Sequence, residues 1–433
     1  MVRSTDLEDI EWTDGREIAH SVFPELPAPR RLTAILRELR ANVVSLRSAV
    51  PVRDDSDLEA LPRSIGAARL VGMGEASHGT SEFFTIKDRI FRYLVEHMGF
   101  TVLAMEADLG DGVAIERYLA TGRGNPEGHL ATVWDNQEVL ELLHWMRAYN
   151  IQGGKHPMLH FVGIDMVDPF ASLALVIFHD FGKHPPVTTH QLIADYVCLI
   201  ADYDDEAFAK LSSARKLACV AGAWDAYQRI ASSSASIDVK RAAFVVLENM
   251  ANRLSMDSDS ERDRTMARNV KWVADSRYPH AKIVLWAHNA HVAAYPMTGG
   301  SQLPMGAFLR DRFASQYYAI GFSFDRGSIS SNGIAEPVAL GPAPLGSSES
   351  VFRKIGPAMF LLDLHRAQQG ADARQWLSKP LQITDLGAPE LGIKHVNPAA
   401  LEREREDQTV LPKAFDSLIF VRESHAAHSF HLR

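Results

Sequence analysis

Seven short runs rich in β-branched and aromatic residues recur along the chain: RLVGMG (69–74), FTVLAME (100–106), LHFVGIDM (159–166), AKIVLWA (281–287), YYAIGFSF (317–324), AMFLLDL (358–364) and SLIFVR (417–422). They are apolar nearly throughout rather than alternately, the pattern of strands covered on both faces. Between the first two lies SEFFTIKDRIFRYLVEHMG, in which Phe83, Phe84, Lys87, Ile90, Phe91, Leu94, Val95 and Met98 follow helical spacing. Thr80 and Ser81 are candidate caps and Gly99 closes the segment. This is a β-α-β unit. Its repetition predicts an α/β chain with a mostly parallel sheet and helices packed on both faces.

Two stretches break the alternation. From about 170 to 278, amphipathic segments such as HQLIADYVCLIADY and VKRAAFVVLENMANRL run without a strand between them, as in a helical insertion or lobe. From Gly327 to Ser350 the chain is rich in Gly, Ser, Pro and Ala, which predicts a long surface connection. The expected organisation is therefore an N-terminal helical segment (1–60), an α/β catalytic core (61–169 and 279–433) and a helical insertion lobe (170–278). No internal repeat is visible.

At 433 residues the chain is long enough for a large core with an insertion, and its 46% hydrophobic and 23% charged content is that of a globular protein. A net charge of −9 without a basic run argues against a nucleic-acid partner. Cys198 and Cys219 form neither a CxxC pair nor a disulfide ladder, so reduced thiols are expected. The acidic N-terminus MVRSTDLEDIEWTDGREIAH lacks the apolar core of a signal peptide, and no window of about 18 uncharged apolar residues occurs. These features predict a cytoplasmic protein with no membrane partner.

In open parallel sheets, ligands collect beyond the carboxyl ends of the strands. After the first strand come Glu75 and His78. Glu106 ends the second, Asp165 ends the third, and AHNAH after the fourth supplies His288 and His291. A lone Glu or His after a strand is more often a cap or a loop hydrogen-bonding group than a catalyst, and Asp165, with no evident partner in GIDM, is read that way. Two acids and three histidines at the ends of separate strands favour a catalytic cleft.

Three chemistries can use this set. Gly72-x-Gly74-x-x-Ser77 has the outline of a dinucleotide loop, but its third glycine is missing and Glu75 would put negative charge where a pyrophosphate must sit. His288-x-x-His291 with two carboxylates has the ligand types of a zinc or iron site, without the HExxH geometry. In metal-free hydrolysis His78 takes a proton from water while a carboxylate fixes its tautomer. There is no GxSxG elbow, which disfavours a serine hydrolase; Ser77 is read as a loop hydroxyl.

GEASHGTSEFF, LAMEAD, WDNQEVLELLHWMRAYN, HFVGIDM, RDRTMARNV, WAHNAHV and MGAFLRDRF, in that order, resemble the erythromycin esterase family, which also includes chains labelled succinoglycan-biosynthesis-like. The resemblance runs from about residue 65 to the last strand. It implies a cleft between an α/β core and a helical lobe, catalysis without a metal or other cofactor, and a small-molecule partner, either a macrolide or another lactone or ester. It further implies a site made of Glu75, His78, Glu106, His288 and His291, with His78 as the base, the two glutamates orienting it and holding water, and the other two imidazoles donating to the carbonyl oxygen. Lys87 stands where the family has a cleft arginine, keeping the charge but not the planar fork. It is expected either to bind substrate or to snorkel from the helix surface. Because the family is broad, reaction class transfers better than substrate. A metal-dependent hydrolase, or a binding or cell-envelope polysaccharide protein that kept the cleft, is the alternative.

Overall fold

Successive residues of each central strand go to opposite sides of one sheet, and two hydrophobic cores result. The computed structural model describes residues 26–430 apart from 131–132, 153–155, 182–187, 197, 199–207, 255–257, 298–301, 332–333 and 387–406. The acidic N-terminal stretch 1–20 and most of the second half of HQLIADYVCLIADY therefore lie outside the described residues. The strands are β1 (Val43–Ser45), β2 (Leu70–Met73), β3 (Phe100–Asp108), β4 (His160–Asp165), β5 (Lys282–Trp286), β6 (Tyr317–Ser331), β7 (Ile334–Leu340), β8 (Met359–Asp363), β9 (Leu381–Ile383), β10 (Asp407–Thr409) and β11 (Ser417–Ser424). The helices that bear on the site are α1 (Pro29–Arg40), α2 (Ser81–Met98), α3 (Leu109–Thr121), α4 (Gln137–Ile151), α5 (Phe170–Ile177), α6 (Thr189–Asp195), α7 (Ser213–Ala231), α8 (Ile237–Asn252), α9 (Ser258–Trp272), α10 (Asn289–Val292), α11 (Met305–Phe313) and α12 (Ser348–Phe352).

The main sheet has the order β1-β8-β11-β6-β2-β5-β3-β4, with β7 paired to β6 off that path. From β11 to β4 every neighbour is parallel; β8, β1 and β7 are antiparallel additions. All seven strands expected from the sequence are present. Because β5 lies between β2 and β3, the carboxyl ends of β2, β5, β3 and β4 stand side by side.

Leu70, Val102, Ala104, Ile283 and Leu285 face one core, shared with α1, α5, α7 and α8. Val71, Leu103, Met105, Val284 and Trp286 face the other, closed by α2 and α4 through Phe83, Phe84, Ile90, Phe91, Leu142 and Leu143. Each fully buried aliphatic or aromatic side chain contributes roughly 1.5–3 kcal/mol, so the apolar strand runs hold a helical layer on each side. Gly99, at φ 72, ends α2 in the left-handed region.

Three sequence expectations need correction. The tract Gly327–Ser350 is not a surface connection: β6 runs on to Ser331, β7 returns antiparallel beside it, and α12 is buried along its length. The N-terminal segment contributes a strand as well as a helix, since β1 pairs antiparallel with β8. Cys198 and Cys219 are joined in a disulfide rather than reduced, with Cα atoms 5.7 Å apart. They meet because α7 packs against α6 just before Cys198, a proximity that a separation of 21 residues does not reveal. The argument from cysteine usage to a reducing compartment thereby loses its premise. No helix among the described residues is long and apolar enough to cross a membrane.

The glycines of GMGEASHG have packing reasons. A Cβ on Gly72 would stand 2.6 Å from Tyr317 Oη, and one on Gly74 would stand 2.2 Å from Asn289 Oδ1. Asn289 cannot yield, because its amide donates to the Phe322 carbonyl at 2.7 Å and its Oδ1 accepts from the Phe322 N–H at 3.0 Å. Gly74→Ala should therefore lower stability by about 1–3 kcal/mol through overpacking, read as a lower urea midpoint at unchanged slope. An unchanged midpoint would contradict this account of the loop.

Candidate active site

β2 ends at Met73, and two residues later the chain places Glu75 in a fully buried position. Its Oε1 accepts from His78 Nδ1 at 2.6 Å and from Trp134 Nε1 at 2.9 Å, and its Oε2 accepts from Lys87 Nζ. Burial is the largest influence on this carboxyl and pushes its pKa up, but the Lys87 charge and the His78 and Lys87 hydrogen bonds together outweigh it and hold the pKa below the ordinary value. Glu75 is thus an anion filled with donors. It follows that His78 Nδ1 carries a proton, while its Nε2 has no partner among the described residues. His78 is the least buried of this group, its ring edge-on to Trp134 with centroids 5.1 Å apart.

Lys87 is completely buried beneath Glu75, with Nζ 4.3 Å from the centroid of the Trp286 ring. It neither snorkels nor reaches into open space. Burial lowers its pKa to about 8, against the raising effect of Glu75. It therefore remains cationic at neutral pH.

A second cluster forms where β3 ends. The pairing of β3 with β4 slips between Met105 and Asp108, and there Glu106 turns its carboxylate toward β5. Its Oε2 accepts from the His288 backbone N–H at 2.9 Å, while Oε1 meets Arg262 Nη2 at 2.7 Å and His291 Nε2 at 3.2 Å. Burial opposes ionisation, but the charges and hydrogen bonds of His291 and Arg262 win, and the pKa lies well below the ordinary carboxylate value. Arg262 also grips Asp165 through Nε (3.2 Å) and Nη2 (2.7 Å). Asp165 is therefore an ion-pair partner at the cleft rather than a solitary loop group.

His291 lies between two carboxylates, with Nε2 on Glu106 and Nδ1 2.8 Å from Asp263 Oδ1. Burial would lower its pKa, but these acids raise it to about 10, so it is an imidazolium at neutral pH. His288 is the opposite case. Burial, then the neighbouring His78, lowers its pKa to about 3. Its Nε2–H donates to the Leu386 carbonyl at 3.1 Å and its Nδ1 accepts from the Ala290 N–H at 3.4 Å. Its ring is tilted against His78 with centroids 4.8 Å apart. The ring nitrogens of both His288 and His291 are thus already bonded within the protein, which leaves neither imidazole a free N–H for a substrate carbonyl in this conformation. Among the described residues no group of three or more His, Cys, Asp or Glu is arranged to hold a metal ion.

The structure brings Glu75, His78, Lys87, Glu106, His288 and His291 into one connected pair of clusters. Sequence reasoning missed Trp134, Arg262, Asp263 and Asp385, whose Oδ1 is 3.4 Å from His288 Nε2. Trp134 and the Arg262–Asp263 pair stood inside quoted motifs, WDNQEVLELLHW and RDRTMARNV, but a residue on a loop or helix far from the strands carries no mark of its partner.

Comparison with known proteins shows the family and the fold. The family profile described as erythromycin esterase matches residues 95–424. The chain belongs to the erythromycin esterase family. It is 26% identical over 303 residues to erythromycin esterase type I of Escherichia coli, covering 62% of this chain and 73% of that one. The fold matches a crystal structure of a succinoglycan biosynthesis protein with TM-score 0.80 at 24% identity, covering 93% of this chain and 100% of that one. It also matches an erythromycin esterase mutant in its open conformation with TM-score 0.60 at 20% identity, covering 86% of this chain and 95% of that one. Family membership supports a hydrolase of the macrolide-esterase type acting on a small molecule.

Proposed function

We propose that this member of the family hydrolyses carboxylic ester or lactone bonds without a metal, with His78 as the general base. The observation that carries this reading is the Nδ1–H of His78 on a carboxylate filled by three donors, which leaves Nε2 bare in the least buried part of the cluster. Nε2 takes a proton from water as the oxygen adds to the carbonyl carbon, and Glu75 stabilises the imidazolium so formed. Collapse of the tetrahedral intermediate breaks the acyl carbon–oxygen bond, and the departing alkoxide recovers the proton from Nε2. The developing oxyanion faces the second cluster. Arg262, partly exposed, uses Nε and Nη2 on carboxylates, and its Nη1 is the N–H group we assign to that oxygen. His288 then supports Leu386 and the edge of the cleft, and His291 holds Glu106 in place.

A metal-dependent reading would ask His288 and His291 to turn lone pairs toward one ion. His291 is held as a double donor between acids and His288 donates to a carbonyl, so the donor set supports the metal-free reading.

Incubation with erythromycin and a panel of other lactones and simple esters, followed by mass for ring opening or cleavage, tests the function. Turnover of at least one ester or lactone is expected, with His78→Asn lowering kcat by at least about 10²-fold, the scale of general-base loss. Absence of turnover across the panel would favour a binding or cell-envelope polysaccharide role, and near-normal rates in His78→Asn would remove His78 from the mechanism.

Lys87 predicts an alkaline limb. Below about 8 it is a cation under Glu75, and as pH rises through that value the cleft gains one net negative charge, which disfavours the oxyanion. Activity should fall on that limb, and Lys87→Arg, whose guanidinium does not titrate in this range, should shift the limb upward by at least about one pH unit. The same limb in both proteins would contradict the assignment.

A further inference from the structure

Beyond β11 the described residues stay against the molecule as far as Phe430. Residues 425–430, past the end of the family match, pair with two loops of the candidate site in turn. First, Ser81 N donates to the His425 carbonyl and Ala427 N donates to the Gly79 carbonyl, both at 2.9 Å, forming an antiparallel bridge between Thr80 and Ala426. Next, Gln137 N donates to the His428 carbonyl at 3.0 Å and Phe430 N to the Asp135 carbonyl at 3.2 Å, with a second antiparallel bridge between Asn136 and Ser429. The first loop carries His78 and the second carries Trp134.

Each crossing is locked in the same way by a glutamate in the first turn of the following helix. Glu82 accepts from the His425 backbone N–H at 2.8 Å and meets its Nδ1 at 2.5 Å. Glu138 accepts from the His428 N–H at 3.2 Å and meets its Nδ1 at 2.9 Å. Ser81 Oγ also donates to Glu138 at 2.6 Å, tying the two crossings together. The imidazoles themselves are largely exposed.

We infer that residues 425–430 are a positioning strap: by joining Gly79–Ser81 to Asp135–Gln137, they fix the separation at which His78 and Trp134 both donate to Oε1 of Glu75. Those two donors come from loops more than fifty residues apart in sequence and share one oxygen, so an error in the spacing of the loops appears directly at the base. None of the strap residues touches the carboxylate, and their action is through the loops they bridge.

Two changes release the strap at different points. The double variant His425→Ala/His428→Ala removes both imidazole locks, and Ala427→Pro removes the one N–H by which the strap holds the Gly79 carbonyl, leaving that carbonyl its bond from Ser330 N at 2.9 Å. In the full chain the indole N–H signal of Trp134, assigned with Trp134→Phe, should move upfield in both variants as its bond to Glu75 lengthens, and the Nδ1 ¹⁵N shift of His78 should move with it, while the other indole signals and Tm stay unchanged. This arm does not depend on the hydrolase reading. Where an ester or lactone from the panel is turned over, kcat should fall by about ten- to a hundredfold, the scale of a small misplacement of reacting groups, with KM changed by less than about twofold. His425→Asn/His428→Asn, which keeps an N–H donor near the Nδ1 position, should restore both readouts. Trp134 and His78 signals that are the same in all variants would overturn the inference, and so would a general loss of Tm with every indole signal moving together.

Discussion

A carboxylate sealed inside a protein is tolerated only when its charge and lone pairs are satisfied, and Glu75 is the point in this molecule where that condition governs everything nearby. Three donors reach it from three elements: Lys87 from α2, Trp134 from the loop before α4, and His78 from its own loop. Each needs a supporting arrangement. α2 must pack so that Lys87 passes over Trp286, Gly74 must let Asn289 close against β2, and the Trp134 loop must be held in place, where residues 428–430 bond to it. Losing any one of them would leave the buried anion short of a donor. Which ring nitrogen of His78 faces the carboxylate is therefore a consequence of how Glu75 is buried.

The second cluster solves the same problem with opposite components. Glu106 is neutralised by Arg262 and by a His291 that is cationic at neutral pH, and the consecutive residues Arg262 and Asp263 serve both ends of it, one holding Glu106 and Asp165, the other holding His291. Both come from α9, so the helical stretch between β4 and β5 completes the charge balance of residues that belong to the sheet. Between the clusters lies His288, kept neutral by burial. Two histidines three positions apart are thereby held in opposite charge states by their surroundings, His288 neutral and His291 cationic.

The parallel sheet was legible because a strand covered on both faces must be apolar along its whole length, and all seven such runs became strands. The strands that escaped notice are of another kind. β1, β9 and β10 are three residues each, too short to show a period, and β7 lies in a tract whose Gly, Ser and Pro resemble those of a loop. The strand-end residues Glu75, His78, Glu106, His288 and His291 could be named because parallel topology gathers carboxyl ends. Lys87 was placed on the right helix but not at its depth, since a lysine on an apolar stripe reads as amphipathic until its carboxylate partner is known. Arg262, Asp263 and the Cys198–Cys219 disulfide depend on how the helices between β4 and β5 fold back, and pairing across such a distance leaves no trace in local spacing.

The central claim concerns where protons sit on these rings. Imidazole ¹⁵N shifts of His78, His288 and His291 in the resting protein at neutral pH, assigned by single substitutions, report it directly. The account predicts a His78 with its Nδ1 protonated, a neutral His288 protonated at Nε2, and a His291 protonated at both nitrogens. A His78 with Nδ1 unprotonated, or a neutral His291, would contradict it.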